Sequence, residues 1–149
     1  MTSTSPIETL IEHAERALEE ALIQLGACRS AHASAVAQMN QLIGYEQDYR
    51  KQLEENMTRI GLNVDKLINY QYFISSLYKI VSYHSQQVSV FQSQVDLAMA
   101  HWQRKKQRLN AFEILKMRSD TARQLRKSRR NQKQMDEFAL GASLRRVES

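Results

Sequence analysis

One feature constrains this chain more than any other: a seven-residue apolar repeat that runs almost its full length and breaks once. Steps of four and three residues pass through Ile7, Ile11, Ala14, Leu18, Ala21, Leu25, Cys28, His32, Ala35, Met39, Leu42, Glu46, Tyr49, Leu53, Asn56 and Ile60. Thirteen of these sixteen positions are apolar, which is the seam of a helix that packs against another helix. Its start is marked by Ser5, Pro6 and Glu8, an N-cap serine, a proline in the first turn and a glutamate placed to close a capping box.

The repeat stops at RIGLNVD, residues 59–65, where Gly61, Asn63 and Asp65 supply turn and cap chemistry. It resumes at Leu67, Tyr70, Ile74, Leu77, Val81, His84, Val88, Phe91, Val95, Ala98, Trp102, Lys105, Leu109 and Phe112, with twelve of fourteen apolar. Two long seams joined by a short turn bury each other only by folding back. The expected fold is all-α, a long two-helix antiparallel coiled-coil hairpin.

A turn near Gly61 to Val64 would set Ile7 opposite a residue close to position 118. The second seam ends there, since the same steps past Phe112 give Lys116, Ser119, Arg123, Arg126, Arg130, Lys133, Glu137 and Leu140. No proline interrupts residues 113–140, so the second helix is expected to overhang the first. The expected division is one hairpin domain over 1–149, with helix one about 6–58, a turn about 59–65, helix two about 66–140 and a flexible tail about 141–149. At 1.5 Å per residue the helices would be on the order of 80 Å and 110 Å long.

Charge is unevenly placed. Residues 1–100 hold seven Lys/Arg against eleven Asp/Glu, whereas residues 101–149 hold fourteen against five. The net charge of +5 therefore belongs to the C-terminal third, and such a block suits an acidic protein surface, a nucleic acid or anionic lipid, or is simply a solvated face. Its densest part, HWQRKKQRLNAF, sets Arg104, Lys105, Lys106 and Arg108 between Trp102 and Phe112. Those two aromatics fall on the seam, which argues against base stacking on them. Glu8, Glu12, Glu15, Glu19 and Glu20 come alongside the basic residues near position 105 in this register and favour antiparallel pairing.

The chain lacks a phosphate-binding Gly-Lys loop, a metalloprotease His pair and paired-cysteine zinc spacing, so no enzyme activity, cofactor or metal is expected. Cys28 and His32 lie one turn apart but both sit on the seam, where packing explains them. Asn56 to Thr58 matches a glycosylation acceptor without a secretory signal to give it meaning. No basic-then-apolar leader and no run of about 18 apolar residues occurs, so the expected location is the cytoplasm, with no direct membrane insertion.

The second helix carries more apolar residues near the turn than one partner helix can bury. Phe73, Leu77, Ile80 and His84 repeat the spacing of Gln38, Leu42, Tyr45 and Tyr49, which the register brings alongside. Together they read as a protein-binding patch, or as a thickened core beside the turn.

Four blocks in order, LIGYEQDYRKQL (42–53), INYQYFISSLYKIVSYH (68–84), VDLAMAHWQRKKQRLNAFEIL (95–115) and NQKQMDEFA (131–139), resemble the FliJ family of bacterial flagellar export proteins. The resemblance covers most of residues 7–140. It implies a two-helix antiparallel coiled coil, similar to the stalk of the rotary ATP synthase gamma subunit, that sits in the hexameric flagellar export ATPase and promotes ring assembly. It also implies contact with the membrane-embedded export gate, exchange of export chaperones, and a place peripheral to the inner face of the cell membrane. The mid-hairpin patch would then meet the gate, and Arg104, Lys105, Lys106, Arg108, Arg123, Arg126, Arg130 and Lys133 would face the ATPase. Two rival readings remain at this point, a basic coiled coil that binds nucleic acid and a self-associating structural coiled coil.

Overall fold

The computed structural model describes residues 5–61 and 63–148, apart from the side chain of Ile60. It consists of two long helices packed antiparallel, α1 (Pro6–Ile60, 55 residues) and α2 (Val64–Glu148, 85 residues). The segment from 141, expected as a tail, is helical through Glu148. Helix formers continue there without a proline, and Arg145 and Arg146 in the last turn suit the negative end of the helix dipole.

The ends form as the sequence dictates. Ser5 Oγ accepts the Glu8 N–H at 3.4 Å and Ser5 C=O accepts the Thr9 N–H at 3.2 Å, so Ser5 caps α1 with Pro6 at the first helical position. After Ile60, Gly61 adopts a positive φ of 62°, the left-handed cap conformation that only glycine enters without cost. Asn63 C=O then accepts the Leu67 N–H at 3.0 Å and opens α2. The expected seam position at Ile60 and the turn residue Leu62 lie outside the described residues.

The contacts gather into two compact units, Met1–Leu18 with Lys105–Ser149, and Glu19–Arg104. In the second of these, Ala21, Leu25, Ala35, Leu77 and Ala98 are buried, all on the seams. Most other seam residues there are half-buried; Tyr49 and Asn56, near the turn, are exposed. In the first unit Ala14 and Leu109 are buried, flanked by half-buried Ile11, Leu18, Phe112 and Lys116.

Small residues recur on α1 every seventh position: Ala14, Ala21, Cys28 and Ala35. The three alanines are buried and Cys28 is half-buried, so the α1 backbone can approach α2 closely while Phe91 and Trp102 supply bulk from the other seam. The one acidic seam residue, Glu46, keeps only 14% of its side chain exposed and pairs with Arg50 one turn on at 2.8 Å.

Candidate functional site

Within the unit Glu19–Arg104 the clearest cross-helix contact near the turn joins Tyr49 and Phe73, with ring centroids 4.6 Å apart and planes inclined at 45°. Counting antiparallel from that pair sets Tyr45 level with Leu77, Leu42 with Ile80 and Gln38 with His84. The eight residues expected as a patch therefore run along one edge of the seam. They are not equally available: Tyr45, Tyr49, Phe73 and Ile80 are between 40% and 58% exposed. Gln38 is exposed, Leu42 and His84 are half-buried and Leu77 is buried. Leu77 thus supports the patch from below, and the face it holds up is made of three aromatic rings and an isoleucine. Tyr83 meets the His84 ring edge-on at 5.7 Å.

The basic residues divide into two kinds. Lys105 is half-buried, while Arg104, Lys106 and Arg108 are exposed. Arg108 lies over the Phe112 ring, 5.6 Å from its centroid, and both border a groove of about 360 Å³ with Leu10, His13 and Ala14. These cations are partly engaged with the helix pair itself. Trp102 and Phe112 are half-buried on the seam, which disfavours base stacking on them.

Further along α2 the setting changes. From Met117 to Leu140 every residue is exposed. Arg123, Arg126, Lys127 and Arg130, spaced i, i+3, i+4 and i+7, together line one open face. Arg126 Nε donates to Ala122 C=O at 3.4 Å, which holds that guanidinium along the helix. Lys133, one turn beyond Arg130, extends the face.

Two surfaces escaped the reading of the sequence. Asn131, Gln134, Met135, Phe138 and Ala139 line a shallow groove of about 520 Å³ on α2, signalled by their i, i+3, i+4, i+7, i+8 spacing. Within Glu19–Arg104, the side of α2 away from its seam exposes Ile68, Tyr72, Tyr83, Val90 and Leu97. Their spacing is also helical, but the stronger seam repeat obscures it in the sequence.

Among the described residues there is no group of three or more His, Cys, Asp and Glu side chains able to hold a metal, and no helix long and apolar enough to cross a membrane.

Comparison with known proteins covers nearly the whole chain. The model of the family described as flagellar FliJ protein matches residues 3–148. A flagellar FliJ protein of Escherichia coli K12 is 38% identical over 148 residues, which cover 99% of this chain and 100% of that relative. One of Salmonella typhi matches with the same identity and coverage.

Proposed function

Since the chain belongs to the flagellar FliJ family, and is thereby a non-enzymatic component of the flagellar export apparatus, we propose that it serves as the central stalk of that apparatus. In this reading it enters the export ATPase hexamer, promotes ring assembly, links the ring to the membrane export gate and exchanges export chaperones. It works in the cytoplasm, peripheral to the inner face of the membrane at the flagellar base.

The observation that carries the reading is the state of α2 after the seam ends. The residues from Met117 to Leu140 are all exposed, with Arg123, Arg126, Lys127 and Arg130 on one face that no second helix covers. The field of these cations extends about a Debye length, roughly 8–10 Å at physiological salt, and steers the helix toward an acidic opening. Arg104, Lys105, Lys106 and Arg108 add to that attraction. Binding itself comes from apolar contact, for which the Tyr45, Tyr49, Phe73 and Ile80 face is suited: aromatic anchors on a well-supported edge are what interface hot spots are made of. That edge is assigned to the gate.

The test is the rate and ring formation of the cognate export ATPase, measured alone, with the full chain, and with a chain ending near Phe112. Stimulation by the full chain that falls on truncation supports the stalk; no stimulation by the full chain overturns it.

A further inference from the structure

The outer side of α2 between Ile68 and Leu97 carries five exposed large apolar side chains, set among serines, Lys79 and Gln86. At 3.6 residues per turn, Ile68, Tyr72, Tyr83, Val90 and Leu97 fall within about 60° of one another around the helix, on a line about 44 Å long. Tyr72 and Leu97 are 77% and 71% exposed, the most open large side chains of the five. α2 thus carries, opposite its seam, an interrupted line of exposed apolar residues that the seam does not cover.

Two of the hydroxyls beside these five are met by the helix itself, while exposed Gln86 stands on the line with Lys79. Ser76 Oγ donates to Tyr72 C=O at 2.9 Å and Ser93 Oγ to Ser89 C=O at 3.2 Å, so each hydroxyl is satisfied by its own helix and covers area as a small neutral group. Formal charge is nearly absent: residues 67–100 contain Lys79 and Asp96 and no other Lys, Arg, Asp or Glu. Asp96 accepts from Gln92 at 3.0 Å on its own helix. Lys79 stands on the line itself, between Tyr72 and Tyr83, and is exposed. At its far end the line runs into a groove of about 410 Å³ that Leu97 and Gln94 border with Cys28 and His101. A long, flat, low-charge stripe ending in a recess is a seat for a helix.

We propose that this face of α2 docks a single helix of a partner protein, apolar along one side and carrying a carboxylate placed against Lys79. A second copy of the chain fits poorly. In an antiparallel pair that sets Ile68 against the copy's Leu97, Lys79 meets the copy's Gln86; in a parallel pair it meets the copy's own Lys79. Neither arrangement supplies an anion, and desolvating an unmatched ammonium is costly. An anionic lipid surface would be met by several cations along the stripe, where there is one. The proposal concerns a different side of the hairpin from the gate-facing edge and takes from family membership only the use of motility as a readout.

The test is site-specific photo-crosslinking in motile cells that carry the full chain, with p-benzoylphenylalanine placed in turn at Tyr72, Tyr83 and Leu97, and at exposed Gln71, off the stripe, as control. The expected result is that the three stripe positions capture one and the same partner, on one helix, and that the control does not. Lys79→Glu should then abolish that crosslink and swimming, and a Lys in place of the partner's facing carboxylate should restore both. Crosslinks to a second copy alone, no stripe-specific crosslink, a partner surface that is not a helix, or a Lys79→Glu chain that swims and crosslinks like the wild type would each overturn the proposal. The purified ATPase assay above does not depend on this face, so the two readings fail separately.

Discussion

Tyr49 on α1 and Phe73 on α2 hold their rings 4.6 Å apart at an inclination of 45°, and this contact fixes the antiparallel register on the turn side of the hairpin. Both residues are at least 40% exposed, so the contact is made at the edge of the seam and both side chains stay partly open to solvent. It can stabilise the hairpin and meet a partner at once.

A double-mutant cycle separates the two uses. Tyr49→Ala and Phe73→Ala should each lower stability, and the pair should show a coupling of about 0.5–1.5 kcal/mol in urea unfolding, the range of an aromatic pair beyond its area burial. Tyr45→Ala, on the same edge, should leave stability almost unchanged, because no partner ring fixes it. A coupling near zero would mean that the rings are neighbours without being energetic partners.

The alanine repeat on α1 makes the opposite demand, for smallness. Ala21 is 3% exposed, and Leu25 one turn later is 2% exposed. Ala21→Leu should destabilise by about 1–3 kcal/mol, as overpacking of a close helix contact does. Leu25→Ala should cost about 2–5 kcal/mol, toward the lower end because two helices enclose a side chain less completely than a globular core. Thermal melts followed by circular dichroism report both. Tolerance of Ala21→Leu would show that the helices have room to move apart there.

Much of this was legible in the sequence because a coiled coil writes its contacts in a fixed period. The seam residues from Ile7 to Leu53 and from Leu67 to Lys116 are the shielded ones, with Tyr49 the exception, and the seam fails at Ser119 as the register requires. Ser5 and Gly61 were readable for the same reason, since each local geometry admits few residue types. What stayed hidden is whatever period alone does not rank. Leu77 shares the spacing of Phe73 and Ile80 yet is buried beneath them, because two faces meet at its position. The stripe from Ile68 to Leu97 was masked by the stronger repeat on the other side of the same helix. The helix from 141 to Glu148 lies beyond the seam repeat, so period says nothing of it; Ala142, Leu144, Arg145 and Arg146 are good helix formers, and a helix already formed propagates past Gly141 at about 1 kcal/mol.

The turn tests backbone strain without steric confusion. Gly61 has φ 62°, and a Cβ built on it would meet no atom within 4 Å. Gly61→Ala should therefore cost only the left-handed penalty, about 1–2 kcal/mol, and Gly61→Asn distinctly less, since asparagine enters that region more readily. Equal losses for Ala and Asn in chemical unfolding would point to a steric cause that the open surroundings do not suggest.

The basic face of α2 should separate function from stability. Changing Arg123, Arg126, Lys127 and Arg130 together to Gln keeps helix propensity nearly constant and removes four exposed charges from one face. The melting temperature should stay within a few degrees of wild type, because exposed cations of this kind contribute little to folding. Stimulation of the export ATPase should fall sharply. In the wild-type chain it should weaken as salt rises, because the attraction is screened over about 8–10 Å. The same four changes made at Arg104, Lys105, Lys106 and Arg108 should cost stability as well, since Lys105 is half-buried and Arg108 rests on Phe112. If the distal substitutions left stimulation intact at every salt concentration, the cations beyond the seam would have no part in meeting the ring. The paired ends of the helices would then carry that contact.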